Sequence, residues 1–203
     1  MCTRHKQLGT SLIELIMFIV IVSAALAGIL SVMNVTSKNS ADPLVHKQAL
    51  AIAESLLEEV ELMPFTICDP DDPKAITAIT AANCTGGAGG ANDEGRLPLG
   101  PETAASIGGA EGRYAVPQFD NVSDYNGFSM AAGAILDISG AAVGPAGYAV
   151  SIVVANNGMP AAGASLAIAA AEALLITVTV TGSDGVPVVL EGIRTRYSPR
   201  AVP

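Results

Sequence analysis

Residues Leu15 to Ser37 read LIMFIVIVSAALAGILSVMNVTS, and this stretch decides the architecture of the chain. It holds 23 consecutive positions without a charged side chain, mostly Leu, Ile, Val, Met, Phe and Ala. At about 1.5 Å per residue, a helix of this length spans roughly 35 Å, which exceeds the roughly 30 Å of a bilayer's hydrocarbon core. The stretch therefore predicts one membrane-spanning helix.

Charges before the apolar stretch set the expected orientation of that helix. Arg4, His5 and Lys6 precede it, and no acidic residue accompanies them. Basic flanks stay in the cytoplasm during membrane insertion. We therefore expect the first residues inside the cell and everything after about Lys38 on the far side of the membrane.

Three interpretations compete for this segment: a secretory signal peptide, a plain membrane anchor, and a short leader followed by a retained stem helix. Small residues at Ala25 and Ala27, before Gly28, are typical of a signal-peptidase site. Glu14 argues against a signal peptide, because it places an acid near the start of the apolar run. A carboxylate within a membrane helix is costly and marks a functional position that needs a partner.

Residues Lys6 to Leu15, KQLGTSLIEL, resemble the signal of type IV prepilins and pseudopilins: a short basic leader ending in Gly, then an apolar helix with Glu at its fifth position. The resemblance implies that a prepilin peptidase cleaves between Gly9 and Thr10 and that Glu14 pairs with an N-terminal amine during assembly. The first mature residue of the family is usually Phe, whereas here it is Thr10. Methylation of the Thr10 amine therefore stays open.

The same resemblance implies where the chain resides and what it contacts. Before assembly it would be a single-pass inner-membrane protein with a cytoplasmic N-terminus and a periplasmic head, and after assembly it would lie in an extracellular pilus. Its expected partners are prepilin peptidase, other pilin or pseudopilin subunits, the inner-membrane assembly platform and membrane lipid.

Composition limits the remaining possibilities. The formal net charge is -9, and it becomes -11 without residues 1–9, which carry two basic residues and no acid. Nucleic acid is not an expected partner, because binding it requires Lys and Arg against the phosphates. Half of the residues are hydrophobic and 21 are Gly, which favours a β-rich body with long loops.

A second, amphipathic helix is expected after the membrane stretch. Asp42 is placed as its N-cap and Pro43 as its first residue, and Pro64 ends it after Met63. Apolar residues recur at helical spacing on one side, and Lys47, Glu54, Glu58 and Glu61 share the other. The expected divisions of the chain are a leader at 1–9, a transmembrane assembly helix at 10–39, the amphipathic helix at 40–63 and a β-rich head at 64–203.

Three strands are predicted in the C-terminal part. Gly147–Ala155 and Leu174–Thr181 are rich in β-branched residues, and the second alternates strictly between apolar residues and Thr. Gly182–Gly185 forms a turn into Val186–Tyr197, so that an antiparallel hairpin results. Ser165–Ala173 stays open between loop and short helix. The expected fold class is α+β, and the resemblance implies the pilin arrangement, with the N-terminal helix on an antiparallel sheet.

Shorter motifs narrow the resemblance to minor pilins of the mannose-sensitive haemagglutinin type. They are Asp42–Leu44, Gln48–Glu54, Phe119–Val122, Asp124–Phe128 and Arg194–Tyr197. The expected function is thus a structural or assembly subunit of a type IV pilus. The alternatives are a pseudopilin of a type II secretion system and a pilus-borne binding module that uses Asp120–Phe128 or the Gly-rich loop. Tyr125 and Phe128 are preferred as core residues.

The chain has three cysteines, of which Cys2 lies in the expected leader. Cys68 and Cys84 remain as an even pair, which suits a disulfide in an oxidising compartment. Two unrelated buried thiols are the alternative interpretation.

No catalytic centre, metal site or cofactor is predicted. His46 is the one histidine outside the leader, and no Gly-x-Ser-x-Gly or His-Glu-x-x-His motif occurs. Asp69, Asp71 and Asp72 could offer oxygen ligands to calcium, but the prolines around them do not fit an EF-hand loop. Turn chemistry is the preferred interpretation of these acids, and calcium binding stays open.

Overall fold

The residues that the computed structural model describes contain one α-helix, α1, from Leu12 to Leu62. The chain divides into two compact units, Met1–Leu44 and Val45–Pro203, which are described separately here. The structure describes residues 11–102, 109–133, 135–157, 169–198 and 200. For residues 37–42 and 170 it describes the backbone only.

The expected break between two helices at Asp42 and Pro43 is wrong, because α1 continues through Pro43. Proline lacks an N–H group and so removes one backbone hydrogen bond from a helix interior, at a cost of about 3 kcal/mol. The turns on both sides keep their own bonds, and the long helix tolerates the loss. The helix ends where predicted, since Met63 donates to the Val60 carbonyl at 3.2 Å and Pro64 follows.

In the second unit, the α1 residues from Val45 onward form an amphipathic surface, as predicted. Small and aliphatic side chains on one side are buried, namely Ala49, Ala53, Leu56 and Val60. The charged side chains of Lys47, Glu54 and Glu58 are exposed. This face of the helix contributes to the main hydrophobic core.

Four antiparallel strands form one sheet in the order β1-β2-β3-β4. Their bounds are Ser129–Met130, Ala149–Asn156, Ala173–Thr181 and Pro187–Thr195. The three predicted strands and the hairpin are therefore confirmed, whereas the two-residue β1 was not foreseen. The overall architecture is α+β, with an N-terminal apolar helix followed by an antiparallel sheet.

The two faces of the sheet differ as the Val and Thr alternation predicts. Ile152 lies opposite Val178, and both are fully buried. Thr177 and Thr179 are only half-buried. Gly192 marks a close approach to α1, because a Cβ atom there would lie 3.0 Å from the Leu57 side chain. The apolar face thus packs against the second half of the helix.

A long irregular segment connects α1 to the sheet. Between Pro64 and Gly127 the described residues contain only two short 3-10 helices, Ala81–Asn83 and Val122–Tyr125. This agrees with the long loops that the composition predicts for the body of the chain. The segment returns to its start, because the Val122 N–H donates to the Pro64 carbonyl at 3.1 Å. The described part of this segment has no strand ladder. Side-chain hydrogen bonds and turns must therefore hold its backbone in place.

Candidate functional site

The first candidate site is the exposed apolar surface of α1 between Leu12 and Thr36. These 25 residues form the one helical stretch among the described residues that is long and apolar enough to cross a membrane. None of the stretch is buried within the protein, and Leu12 and Leu30 keep 76% and 66% of their surface exposed. An apolar surface this large needs a lipid or protein partner.

Glu14 is the acidic residue in the first turn of α1, where the helix dipole favours a negative charge. Its side chain is exposed among apolar neighbours. Among the described residues, none forms a hydrogen bond or ion pair with it. Gly9 and Thr10, the expected cleavage position, lie outside the described residues, so the amine expected to pair with Glu14 is not seen here.

The predicted disulfide is present and joins Cys68 to Cys84, with 5.5 Å between their Cα atoms. Asp72 stabilises the loop beside this disulfide. Its carboxylate accepts hydrogen bonds from the Thr85 N–H at 2.6 Å and the Lys74 N–H at 3.0 Å. Burial acts to raise the pKa of Asp72, but these donors outweigh it and lower the pKa below its usual value. The predicted turn role is confirmed for Asp72.

The segment Asp120–Phe128, which the sequence offered as an alternative binding surface, is largely buried. Tyr125 is fully buried, and its ring meets those of Phe119 and Phe128 edge-on with centroids 5.0 and 6.3 Å away. The preference for a core residue is confirmed for Tyr125, and Phe128 is half-buried and packs against the core. Asp124 in the same segment is also fully buried.

A buried ion pair connects α1 to the irregular segment. Arg113 donates from Nε to Glu59 Oε1 at 2.7 Å and from a terminal nitrogen to Glu59 Oε2 at 2.6 Å. The Tyr125 hydroxyl also donates to Glu59 Oε1, at 2.8 Å. Burial acts to lower the pKa of Arg113. The Glu59 carboxylate raises this pKa by more, so the net shift is upward. The guanidinium is therefore firmly charged and held.

The second candidate site was not found from the sequence and consists of acidic side chains in the irregular segment. We call it the carboxylate cluster, and its members are Asp69, Glu94, Glu102, Glu111, Asp120 and Asp124. Five members are at least nine-tenths buried, and Asp120 is half-buried. Of the three predicted acids, only Asp69 belongs to it, since Asp71 is exposed and Asp72 serves the loop.

Oxygen atoms of the cluster lie very close together. One oxygen from each member of three overlapping groups lies within 4.8 Å of the others: Asp69 with Glu111 and Asp120, Asp69 with Glu94 and Glu102, and Glu102 with Glu111 and Asp124. A fourth group, formed by Asp72 with Cys68 and Cys84, offers no thiolate because its sulfurs form the disulfide.

Burial raises the pKa of every carboxyl group in the cluster. Negative charge on neighbouring acids adds to this effect in all six of them. Asp124 raises the pKa of Glu94, Glu102 and Asp120, and Glu111 raises that of Asp124. The cluster therefore disfavours its own charged state unless something positive joins it.

No sequence signal would have located this cluster, because its members are spread over 56 positions with irregular spacing. No family model, curated protein or solved structure matches the chain.

Proposed function

We propose that this chain is a structural subunit of a type IV pilus-like filament, specifically a minor pilin of the mannose-sensitive haemagglutinin type, without enzymatic activity. The observation that carries the proposal is the bare apolar surface of α1 with Glu14 in its first turn. In this proposal, membrane lipid covers that surface before assembly and neighbouring subunits cover it afterwards.

The geometry of each unit is compatible with this role. The apolar part of α1 offers no internal partner for its side chains, so any stable state in water requires an outside partner. The second unit has its own core of helix and sheet, which allows it to stay folded outside the membrane. The disulfide suits the oxidising compartment to which this unit would be exported.

Glu14 gives the proposal its assembly step. A carboxylate in an apolar environment is stabilised by an ammonium group brought close to it, and each group alone is costly to bury. We propose that the Glu14 carboxylate binds an N-terminal amine of a neighbouring subunit in the filament. Prepilin peptidase would create that amine at Thr10, and the assembly platform would deliver the subunit.

A pseudopilin of a type II secretion system would use the same signal and the same helix. A binding module that uses Asp120–Phe128 has less support, because Asp124 and Tyr125 are buried. A structural role for this segment is therefore preferred.

The experiment is the N-terminal sequence and intact mass of the protein from membranes and from sheared filaments. A start at Thr10 is expected and leaves Glu14 as the fifth residue. A start at Gly28 would contradict the proposal, since ordinary secretion would remove Glu14 altogether.

Two matched variants sharpen this experiment. Gly9→Leu places a large side chain at the proposed cleavage position and is expected to leave the leader uncleaved. Ala27→Leu places the same side chain at the alternative position and is expected to be processed as usual. The reverse pattern would identify a secretory signal peptide.

A further inference from the structure

No ion pair among the described residues balances the buried acids of the carboxylate cluster. Among the described residues the ion pairs are Arg113 with Glu59 and Arg196 with Glu172, and neither includes a cluster member. Arg196 lies close enough to Glu94 to sense its charge, but it donates to Glu172 at 3.3 Å. A buried carboxylate without a partner is among the costliest groups in a protein.

Each cluster member has one buried oxygen without a hydrogen-bond partner: Asp69 Oδ2, Glu94 Oε1, Glu102 Oε2, Glu111 Oε1, Asp120 Oδ1 and Asp124 Oδ1. Unsatisfied buried polar atoms are rare in folded proteins, where most are bonded to protein, water or an ion. One such atom in every member of a single cluster indicates a shared missing partner.

The second oxygen of several members is fixed by a donor from the protein. Asp69 Oδ1 accepts from the Asp71 N–H at 2.6 Å, and Asp124 Oδ2 accepts from the Asn121 N–H at 2.7 Å. The Ser123 hydroxyl donates to Glu94 Oε2. Side chains held in this way are oriented before a ligand arrives, as outer-shell hydrogen bonds orient the ligands of metal sites.

We propose that the carboxylate cluster binds Ca²⁺ through these unpartnered carboxylate oxygens. Ca²⁺ takes 6–8 oxygen ligands at about 2.3–2.6 Å. Two oxygens on opposite sides of such an ion lie about 4.6–5.2 Å apart. One oxygen from each member of a group lies within 4.8 Å of the others, so one ion can reach all members of that group.

The ligand chemistry selects Ca²⁺ over other metals. The cluster offers carboxylate oxygen only, with no His or free Cys, which excludes the sites that Zn²⁺ and Cu²⁺ prefer. Mg²⁺ demands shorter bonds of about 2.0–2.1 Å and keeps several water molecules, so a buried cage of protein carboxylates suits it poorly.

The number of ions follows from the charge. One Ca²⁺ offsets two of the six formal negative charges, and the three groups share Asp69, Glu102 and Glu111. We therefore expect one or two ions per chain, with the shared residues bridging if there are two. A cluster neutralised by protons alone is the competing state.

The test uses the full-length protein in detergent, stripped with a chelator and then dialysed against 1 mM CaCl₂ or 1 mM MgCl₂. Elemental analysis is expected to find about one or two calcium ions per chain, and little magnesium. The thermal unfolding midpoint is expected to rise with Ca²⁺ and to rise less with Mg²⁺, since an ion that binds only the folded state stabilises it.

Asp69→Asn and Asp71→Asn form a matched pair, because they remove the same charge two positions apart, inside and outside the cluster. Asp69→Asn is expected to weaken Ca²⁺ binding by about tenfold or more, as disturbed metal sites do. Asp71→Asn is expected to bind as the unmodified chain does. Where Asp69→Asn does not fold, the elemental analysis of the unmodified chain decides alone.

Three results would overturn the proposal: no bound calcium above the dialysis blank, a folded Asp69→Asn variant that binds Ca²⁺ unchanged, or an unfolding midpoint that is the same in Ca²⁺ and chelator. The last would mean that protons neutralise the cluster.

Discussion

Glu59 is a partly buried acid, and both of its carboxylate oxygens accept hydrogen bonds. It accepts from two nitrogens of Arg113 and from the Tyr125 hydroxyl, at 2.6 to 2.8 Å. Its side chain is 17% exposed and that of Arg113 only 2%. At the scale of single residues, this pair shows how the fold compensates a buried charge, in contrast to the carboxylate cluster.

Glu59→Gln should therefore destabilise the protein strongly, because it leaves the Arg113 charge buried and unpaired. Breaking a buried pair in this way costs about 3–5 kcal/mol. Glu58→Gln is the control, since Glu58 is exposed and forms no ion pair among the described residues, so its loss should cost at most about 1 kcal/mol. Urea unfolding followed by tyrosine fluorescence measures both, and equal effects would contradict the assigned role.

Single residues were predictable where their chemistry is local. Cys68 and Cys84 could be paired by counting, and Asp72 has the backbone hydrogen bonds of a turn residue. The cluster members could not be recognised, because an acid in a loop looks the same in sequence whether it faces water or five other acids. Only the folded path of the irregular segment brings Asp69 beside Asp120.

At the scale of elements, the sheet displays a clear difference between its faces. Ile176 on β3 is fully buried, whereas Ile193 on the neighbouring strand β4 is 49% exposed. The two side chains are identical and lie on opposite faces of the sheet, so the comparison tests the contribution of the core face.

Ile176→Ala should lower the free energy of unfolding by about 2–5 kcal/mol, because it removes buried methyl groups and leaves a cavity. Ile193→Ala should cost much less, since its side chain keeps about half of its contact with water. Thermal unfolding midpoints of the two variants provide the comparison. A larger loss for Ile193→Ala would mean that the assigned core face is wrong.

Elements with a strong period were predictable, whereas the helix start expected at Asp42 and Pro43 was wrong. The Thr and Val alternation of β3 gives a half-buried strand directly, and Gly182–Gly185 gives its turn. Pro43 suggested a new helix, but a single missing hydrogen bond does not end a helix whose neighbouring turns remain intact. β1 was missed because two residues carry no period.

At the scale of the whole molecule, the proposed function makes filament formation depend on Glu14, the acid in the first turn of α1. We expect Glu14→Ala to leave cleavage unchanged, since Glu14 lies five positions after Gly9, and to reduce incorporation into filaments. Immunoblots of sheared filaments and of membranes measure incorporation and cleavage separately.

The control for this variant is Glu54→Ala, an exposed acid on the second half of the same helix. It should leave both incorporation and cleavage unchanged. Normal incorporation of Glu14→Ala would refute the proposed pairing with an N-terminal amine and would favour a simple anchored protein.

The position of β4 has a consequence for contacts between copies of this protein. β4 pairs with β3 on one side, and no described strand pairs with its other side. Open strand edges promote aggregation, and proteins held in a membrane are concentrated in two dimensions. β4 begins with Pro187, which donates no backbone hydrogen bond, and it carries Glu191 and Arg194 along its length. These residues discourage another copy from adding a fifth strand at this edge.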